Sequence, residues 1–483
     1  MADHPLPPRW AGRDSFAILA TGCGAGANFL ATWQAWRDDP HRPQRLHYFC
    51  VDAEPPGRDE LVRLTQSQSV DLAAQLCAVW PSRVAGFHRL HFDNGRVSLT
   101  LVIGDIRTVI PRIEGRFDAF ILDGLSAAEQ SSSALQEDLN WLAAPAQSAP
   151  PATRRAAVIG AGIAGVSCAE RLAARGWEVT LFDRRDAPAA ETSGNRQAVM
   201  LPVLSVDPTR LSRLNRVAYL YVLRQLAALA QAGHPVTWSN CGVFQIARHA
   251  DHAKKQQAIV ANQQLPAEFV QYLDADAGSR LVGTTVSDGG WWFPQAGWLS
   301  PQSLCQALLA AAGENLSFRP ATEIATLAPS VQGRQMSWQL LDNDGKALWD
   351  GPTVILAHAH GLRTLEQSAH LPLRCFRGQT SHLPAAEMGD APRCVVCREG
   401  YIAPPHEGYA SLGATFQRSH DTAIHVEDHQ SNLARLAAML PELADHFTAA
   451  QLTGRVGLRP VSPDKLPMVG ALPLASCAPR PAA

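Results

Sequence analysis

A glycine-rich turn near the middle of this 483-residue chain has the composition needed to bind a dinucleotide. The apolar residues Val158 and Ile159 lead into Gly160, Gly162 and Gly165, which fit the spacing G-x-G-x-x-G. Such a turn brings the backbone close to a pyrophosphate and starts a helix whose positive end faces the phosphates. A turn that only packs a helix against a strand is the alternative interpretation.

The residues after this turn complete a nucleotide-binding unit. The pattern predicts a helix over residues 166–175, ended by Gly176, and then a strand over residues 177–183. That strand ends on Asp183, whose carboxylate is placed to accept hydrogen bonds from the ribose hydroxyls of an adenosine. The complete unit predicts a dinucleotide site but does not separate NAD from FAD.

A second glycine-rich turn with acidic residues at the following strand ends lies in the first part of the chain. A glycine-rich turn follows a predicted strand, and an acidic residue follows each of the next three strands. This order is typical of the sheet that binds S-adenosylmethionine, where the acids face the ribose, the adenine edge and the methyl group in turn. Taken singly, each acid is more often a helix cap or a surface residue. The residues are Gly22 and Gly24 in the turn, and Asp52, Asp105 and Asp123 at the strand ends.

Short motifs spread over most of the chain carry a resemblance to a known family. They are Asn28-Phe-Leu-Ala-Thr-Trp-Gln-Ala-Trp-Arg, Gly86-Phe-His-Arg-Leu, Leu122-Asp-Gly, Ser193-Gly-Asn-Arg-Gln, Arg377-Gly-Gln and the residues 459–470. These motifs resemble those of the bifunctional tRNA 5-methylaminomethyl-2-thiouridine biosynthesis proteins. The resemblance implies a two-step modification of the tRNA wobble uridine. FAD-dependent oxidation would remove a carboxymethyl group as glyoxylate, and S-adenosylmethionine-dependent methylation of the aminomethyl group would follow.

The resemblance also implies roles for single residues of the second half. Arg459 matches the position at which glycine-oxidase-type flavoenzymes hold the substrate carboxylate, and a guanidinium suits that task because it donates two parallel hydrogen bonds. A surface arginine in a proline-rich loop is the alternative for Arg459, and Arg374 and Arg377 are then the next candidates. The segment matched to the flavin phosphates and ring is Ser193, Gly194 and Asn195.

The chain is predicted to be α/β with two domains. A truncated Rossmann-like methyltransferase domain covers residues 1–125, and a linker rich in Ser, Ala, Gln and Pro covers residues 126–153. An FAD-binding Rossmann-type domain covers residues 154–483, with an inserted, mostly antiparallel α+β substrate subdomain at about residues 200–350. Residues 354–361 predict a strand that returns to the nucleotide domain, with His358 and His360 on one face.

The chain departs from the family pattern in three places. A segment before Pro5, the stretch after Leu125 and the region after Gly470 are all shorter than the family implies. Without the stretch after Leu125 the methyltransferase sheet lacks its second half, and we expect an exposed apolar face and weak or no binding of S-adenosylmethionine. The shortened C-terminus is expected to leave the flavin site open on one side.

Composition sets limits on partners and location. The 42 basic and 44 acidic side chains are nearly balanced, so no global basic field indicates a nucleic-acid partner. No apolar run reaches the roughly 18 residues of a membrane span, and we predict a soluble, cytoplasmic protein without a membrane partner. The single CxxC pair, Cys394 and Cys397, and the pair His358 and His360 lack further ligands, so no metal is predicted. The other cysteines are interpreted as buried, reduced thiols.

Two further functions stay open on the sequence alone. One is an amine oxidase acting on a small glycine- or sarcosine-like substrate, with a vestigial front domain. The other is a non-catalytic protein that binds tRNA or a partner after losing both sites. Bound flavin would argue against the second, and a comparison of tRNA with free sarcosine as substrates would address the first.

Overall fold

The chain separates into two compact units in the computed structural model, which describes residues 10–24, 26–66, 69–143, 153–332 and 335–473. Unit one comprises Met1–Pro150 and Pro202–Gln225, and unit two comprises Pro151–Leu201 and Leu226–Ala483. Among the described helices, none combines the length and the apolar character that a bilayer span requires. The two units are therefore described one after the other.

Unit one is built on a single sheet. Its strands are β1 Ser15–Thr21, β2 Arg45–Asp52, β3 Gly86–Phe92, β4 Val97–Ile103 and β5 Ala119–Ile121. The order is β3-β4-β2-β1-β5, with β3 antiparallel to β4 and all other neighbours parallel. The ends of the parallel strands share one edge, where α/β sheets bind ligands. Within the described residues this sheet ends at β5.

Helices cover both faces of this sheet. They are α1 Ala27–Asp38, α2 Arg58–Leu64, α3 Val70–Val79, α4 Ile106–Val109, α5 Ala127–Gln130 and α6 Ser133–Ala143. One face buries an aromatic cluster that includes Phe29, Trp33 and Tyr48. On the other face Leu139 and Leu142 of α6 are buried against the sheet. The packing stabilises unit one through removal of apolar surface from water.

Helix α6 corrects the prediction of a linker over residues 126–153. Leu135, Leu139 and Leu142 recur at helical spacing within a Ser- and Gln-rich stretch, and Leu142 is 1% exposed. The backbone carbonyl of Leu142 also accepts a hydrogen bond from the N–H of Phe117. The expected exposed apolar face is thus covered by α6, although Trp141 at its outer side remains 65% exposed.

Unit two contains the remaining strands. They are β6 Arg155–Ile159, β7 Glu178–Phe182, β8 Ala198–Met200, β9 Trp238–Ser239, β10 Val243–Ile246, β11 Gln271–Leu273, β12 Gly290–Phe293, β13 Gly297–Leu299, β14 Leu316–Arg319, β15 Thr326–Gln332, β16 Gln335–Leu341, β17 Ala347–Gly351, β18 Thr353–Leu356, β19 Arg374–Pro384, β20 Val395–Cys397, β21 Tyr401–Ile402, β22 Tyr409–Gly413 and β23 Thr453–Val461. The helices are α7 Ile163–Ala173, α8 Arg210–Gln231, α9 Ala250–Asn262, α10 Ala275–Val282, α11 Pro301–Ala312, α12 Val426–Met439 and α13 Pro441–Ala444, of which α8 begins within the residues of unit one.

A parallel sheet of order β14-β7-β6-β18 carries the turn that the sequence predicts to bind a dinucleotide. Helices α7 and α11 pack against each other beside it. Strand β18 pairs in parallel with β6, which confirms that the chain returns to this sheet near residue 354. However, β18 ends at Leu356, and His358 precedes a short 3-10 turn at Ala359–Arg363, so His358 and His360 do not share a strand face.

The second layer of unit two is an eight-stranded sheet of order β11-β12-β10-β20-β21-β22-β19-β23. Its longest pairing joins β19 and β23 in antiparallel register, with Phe376 opposite Arg459. This layer extends well beyond residue 350, because strands from two distant parts of the chain complete it. Cys394 and Cys397 lie buried at its strand β20, as small apolar side chains would.

Residues 202–225 belong to unit one, whereas the sequence suggested an inserted subdomain from about residue 200. The start of α8 lies against strand β3. The Val217 Cγ2 is 3.4 Å from the position of a Cβ on Gly86, and the rings of Tyr221 and His91 meet edge to face at 6.3 Å between centroids. A chain segment distant in sequence thus covers the antiparallel edge region of the unit-one sheet. The domain boundaries themselves remain predictions.

Candidate nucleotide-binding sites

The turn after β6 has a backbone that only glycine adopts without strain. Gly160 has φ +103°, and a Cβ there would lie 2.6 Å from the Cα of His358 and 2.7 Å from the carbonyl oxygen of Ala357. Its N–H donates to the carbonyl of Phe182 at 2.7 Å. The turn is thereby held between β7 and the segment after β18.

The other two glycines of the motif have different surroundings. A Cβ on Gly165 would overlap the carbonyl oxygen of Gly160, so this position permits close approach of helix and turn. A Cβ on Gly162 would meet only the hydroxyl of Ser193, at 3.2 Å, because the rest of its surroundings is open. Gly162 is also the residue before α7, so the positive N-terminal end of that helix lies beside the same space.

Asp183 follows β7 and bonds to the glycine turn. Its Oδ2 accepts the N–H of Ala161 at 2.6 Å, and its Oδ1 accepts the N–H of Arg185 at 2.8 Å. The side chain is half-buried, and each carboxylate oxygen keeps a lone pair for a further donor. This arrangement fits the predicted contact with ribose hydroxyls.

The three candidate residues in the segment after Asp183 differ in their contacts and in whether they line the open space beside the glycine turn. The Oγ of Ser193 accepts the N–H of Ile163 at 3.2 Å, which puts this hydroxyl at the N-terminus of α7. Gly194 packs directly against the guanidinium of Arg455, while Asn195 is half-buried. Of the three, only Ser193 lines the open cleft beside the glycine turn.

That open space, which we call the nucleotide cleft, is lined by the glycine turn, the end of β7 and residues of three later segments. The three segments are residues 189–193, residues 322–324, and residues 357–359 with Gly361 and Thr364. His358 faces it with a pKa lowered to about 4, chiefly by burial and further by Arg184. Its imidazole is therefore neutral at physiological pH.

Arg455 is a residue of this site that the sequence reasoning missed. Its Nη2 donates to the carbonyl of Ala190 at 2.6 Å and also contacts the carbonyl of Glu191, so it holds the loop that carries Ser193. Burial lowers the pKa of its guanidinium, and Glu191 opposes that shift. The contact spans 265 residues of sequence, and no local motif indicates it.

Arg459 lies on β23 at the edge of the eight-stranded sheet and is exposed. Its guanidinium is within 3.9 Å of the position of a Cβ on Gly378 of the neighbouring strand. Burial raises the pKa of Tyr401, and the charge of Arg459 acts in the opposite direction, so the two groups lie within electrostatic reach. Within the described residues, Arg459 has no ion pair, and it does not line the nucleotide cleft. Its guanidinium is thus available to an anionic ligand.

The two alternative arginines behave differently. Arg377 is 1% exposed, forms an ion pair with Asp428 and donates to the carbonyls of Asp421 and Ala423. A buried guanidinium with all of these partners cannot also hold a substrate, which excludes Arg377 as a carboxylate clamp. Arg374 is exposed and lines a separate pocket.

In unit one the glycine turn after β1 is tied to its neighbours. A Cβ on Gly22 would lie 2.9 Å from the carbonyl oxygen of Asp123, whereas one on Gly24 would meet nothing within 4 Å. The carboxylate of Asp123 accepts the side-chain N–H of Asn28 at 2.6 Å. Asn28 begins one of the motifs named above, but no contact between it and Asp123 was predicted. Asn28 lies in the first turn of helix α1, so Asp123 and the glycine turn form one connected group.

Asp52 and Asp105 differ in what they bind. Asp52 accepts the N–H of Cys23 at 2.8 Å within the glycine turn, the position expected for a ribose partner. Asp105 caps helix α4 through the N–H of Arg107 and pairs with that side chain, whose hydrogen bond lowers the pKa of Asp105. The structure brings Asp52 and Asp123 to the turn, while Asp105 has the role of a helix cap.

The cysteines of unit one correct a prediction. Cys23 in the turn and Cys50 on β2 form a disulfide, so they are not reduced thiols. Cys168 on α7 of unit two is exposed and not buried.

Among the described residues, one group has the spacing of metal ligands, and it joins His360 with Cys375 and His420. The imidazole of His360 thus has further ligand atoms nearby, which the sequence reasoning did not find.

Two family models match the chain. One, described as an FAD dependent oxidoreductase, matches residues 155–480. The other, described as an S-adenosyl-L-methionine-dependent methyltransferase, matches residues 67–139, a range that begins after Asp52. The first match contains the nucleotide cleft and Arg459, and the second contains Asp105, Asp123 and the first part of helix α6.

Relatives with similar sequences span nearly the whole chain. A protein of Aromatoleum aromaticum named tRNA 5-methylaminomethyl-2-thiouridine biosynthesis bifunctional protein MnmC is 42% identical over 98% of this chain and 82% of its own length. A protein of the same name from an Azoarcus species is 39% identical over 98% of this chain and 82% of its own length. The first alignment has 527 positions, more than the 483 residues of this chain, so the relative carries stretches that this chain lacks within the aligned region.

Solved structures are similar in fold to about two thirds of this chain. Glycine oxidase from Bacillus cereus has a TM-score of 0.55 at 21% identity, over 66% of this chain and 86% of its own. Iminodiacetate oxidase from a Chelativorans species has a TM-score of 0.51 at 20% identity, over 64% of this chain and 84% of its own. At such low identity the likeness establishes the fold alone.

Proposed function

The chain belongs to the family of tRNA 5-methylaminomethyl-2-thiouridine biosynthesis bifunctional proteins, and we propose that it modifies the wobble uridine of tRNA. In the first step the carboxymethylaminomethyl group of the base is oxidised and loses glyoxylate. In the second step the aminomethyl group is methylated. The family membership carries the choice of substrate, and the two sites described above support the two chemistries.

The nucleotide cleft of unit two is the observation that supports oxidation most directly. The open side of Gly162, the N-terminus of α7 and the carboxylate of Asp183 fit the pyrophosphate and ribose of FAD. When bound there, FAD supplies the acceptor for the hydride that leaves the substrate. His358, whose imidazole is neutral because burial lowers its pKa to about 4, lines the same cleft.

The substrate side chain defines what the protein residues must do. It is a secondary amine joined through one methylene carbon to a carboxylate. That carbon loses a hydride, and water then cleaves the resulting carbon–nitrogen double bond to give glyoxylate and a primary amine. We assign Arg459 to the carboxylate, because its exposed guanidinium has no ion pair among the described residues and can donate two parallel hydrogen bonds. Holding the carboxylate fixes the orientation of the adjoining methylene carbon.

The methylation site is assigned to the turn after β1 in unit one. Asp52 at this turn would accept the ribose hydroxyls of S-adenosylmethionine, and Asp123 would face the amine to be methylated. Gly22 and Gly24 supply the close backbone approach. Asp105, which caps α4, is assigned only to the adenine edge and would have to release Arg107 to serve there. The short sheet supports weak cofactor binding at this site.

One assay tests the proposal as a whole. Purified full-length protein carrying FAD is given tRNA that contains 5-carboxymethylaminomethyl-2-thiouridine, and glyoxylate is measured alongside the modified base. Free sarcosine and glycine are given in parallel. Glyoxylate from tRNA and little product from the small amines is expected. Turnover of sarcosine without turnover of tRNA would replace the proposal with a small-substrate amine oxidase. We also propose a cytoplasmic location, where the tRNA substrate is found.

A further inference from the structure

A pocket of about 440 Å³ lies beside the N-terminal end of β19 in unit two. Its side chains are strongly basic, and no carboxylate lines it. We call it the cationic pocket, and its basic residues are Arg363, His370, Arg374, Arg418 and His420. The volume lies within the range of small-ligand sites and is sufficient for a phosphodiester with part of its sugar.

The three arginines of the cationic pocket are exposed. In the described part of the chain none of them has an ion pair or a side-chain hydrogen bond, whereas Arg184 and Arg185 both pair with Glu191. Three guanidinium groups at one cavity repel one another unless an anion lies between them. The pocket therefore has an uncompensated positive charge, and guanidinium groups are donors that suit oxyanions.

The positive charge of the pocket also affects the pKa of two nearby side chains. The pKa of His360 is lowered by burial first and then by the charges of His420, Arg363 and Arg184. Burial raises the pKa of Cys375, and the charge of Arg363 acts against that increase by favouring the thiolate. Both effects of Arg363 are those expected of a cation close to the two groups.

A metal ion is the rival occupant of this region. Ligand atoms of His360, Cys375 and His420 all lie within 4.8 Å of one another, which approaches the spacing of a zinc site. However, the same cavity is lined by three arginines and no acid. A divalent cation would add to an existing excess of positive charge, while an anion would neutralise it. The charge balance favours the anion.

We propose that the cationic pocket binds a backbone phosphate of the tRNA substrate. The inference rests on the proposed function, because the polyanion it invokes is that substrate. Its position supports this choice. Arg374 of the pocket is two residues from Phe376, which stands opposite Arg459 in the β19–β23 register. Two residues of strand cover roughly 7 Å. A phosphate in the pocket would thus lie about one nucleotide from a base held at Arg459.

The test measures binding of an unmodified anticodon stem–loop RNA to the full-length protein at several salt concentrations. The variant carries Arg374→Ser together with Arg418→Ser. The control is Arg280→Ser, an exposed arginine on α10 beside the opposite edge of the same sheet. A third variant carries Arg374→Lys together with Arg418→Lys. All four proteins must retain bound flavin and the wild-type circular dichroism spectrum, as expected for exposed positions.

We expect the double serine variant to bind RNA roughly ten-fold more weakly than wild type, since exposed charge pairs each contribute about a three-fold factor. The slope of log Kd against log salt should fall by about 0.7 for one lost phosphate contact on single-stranded RNA. The lysine variant should keep that slope, and Arg280→Ser should match wild type. Because unmodified RNA is not turned over, these results do not depend on glyoxylate release.

Two results would overturn the inference. One is a double serine variant with the same Kd and salt slope as Arg280→Ser. The other is stoichiometric zinc in the wild-type protein that is lost in Cys375→Ser, which would assign the region to a metal. Absence of glyoxylate release with the expected RNA binding would instead contradict the proposed function while the phosphate site stands.

Discussion

The two glycine turns of this chain share one plan but differ in what remains available to a ligand. In unit two, Gly162 has open space beside it, and Asp183 uses only backbone donors of its own turn region. In unit one, Gly22 is packed against the carbonyl of Asp123, and the Asp123 carboxylate is bonded to Asn28. The same strand–turn–helix pattern therefore does not by itself determine a working site. Free lone pairs and free volume at the turn distinguish the two.

The largest expected effect is the loss of bound flavin when tryptophan replaces a glycine of the unit-two turn but not of the unit-one turn. Gly162→Trp should abolish FAD binding, because an indole would fill the space beside the helix N-terminus that the pyrophosphate requires. Gly24→Trp places the same side chain on the unit-one turn, where a Cβ meets nothing within 4 Å, and should leave the flavin in place. Flavin absorbance of the purified proteins measures both. Full flavin content in Gly162→Trp would move the FAD site elsewhere.

The second prediction concerns the cofactor affinities of the two units. FAD should remain with the full-length protein through purification, whereas S-adenosylmethionine should bind with a Kd weaker than about 100 µM in calorimetric titration. The reason is that Asp123 is bonded to Asn28 and Asp105 to Arg107 in unit one. A micromolar Kd that is lost in Asp52→Ala would show that the short sheet is sufficient for binding.

The contrast between the turns also shows what sequence alone can predict. The strand–turn–helix–strand order from Gly160 to Asp183 and the return of the chain at β18 are confirmed, since short-range spacing and apolar runs encode them. Helix α6 was missed because its three leucines stand among Ser and Gln, a composition typical of linkers. Burial of Arg377 depends on Asp428, which is 51 residues away, and no local pattern contains that partner. The placement of residues 202–225 in unit one was also not predicted, because it depends on contacts with residues that are distant in the sequence.

The third prediction concerns how the stability of unit one depends on pH, because this unit contains the buried residue His88. His88 is 1% exposed, and burial lowers its pKa to about 4, with Arg224 and Arg216 acting in the same direction. The unfolded chain takes up a proton near pH 6.5, and the folded chain does so only near pH 4, so stability should fall as the pH falls between these values. A shift of this size corresponds to about 3 kcal/mol at most.

His88→Gln should remove this pH dependence from unit one. The amide keeps a donor for the carbonyl of Val84, which the ring Nε2 contacts at 2.6 Å, but it does not titrate. Urea unfolding from pH 7 to pH 4, followed by circular dichroism, should show a shallower loss of stability in the variant. Flavin release, which reports on unit two, should follow the wild-type pH profile. An unchanged unfolding profile in His88→Gln would mean that other groups control acid unfolding.

The smallest expected effect tests whether Arg459 acts as the carboxylate clamp. Arg459→Ala should retain FAD and lose about 2 kcal/mol of transition-state stabilisation, or roughly thirty-fold in kcat/KM for glyoxylate release. We expect no more than this, because Arg459 is exposed and water screens its charge. Arg459→Lys should recover only part of the loss, since an ammonium cannot donate two parallel hydrogen bonds. Arg280→Ala provides the matched control and should stay within about 0.5 kcal/mol of wild type. Normal turnover by Arg459→Ala would assign the carboxylate to another residue. Arg377 is excluded from that role by its ion pair with Asp428, and Arg374 would be the next residue to test.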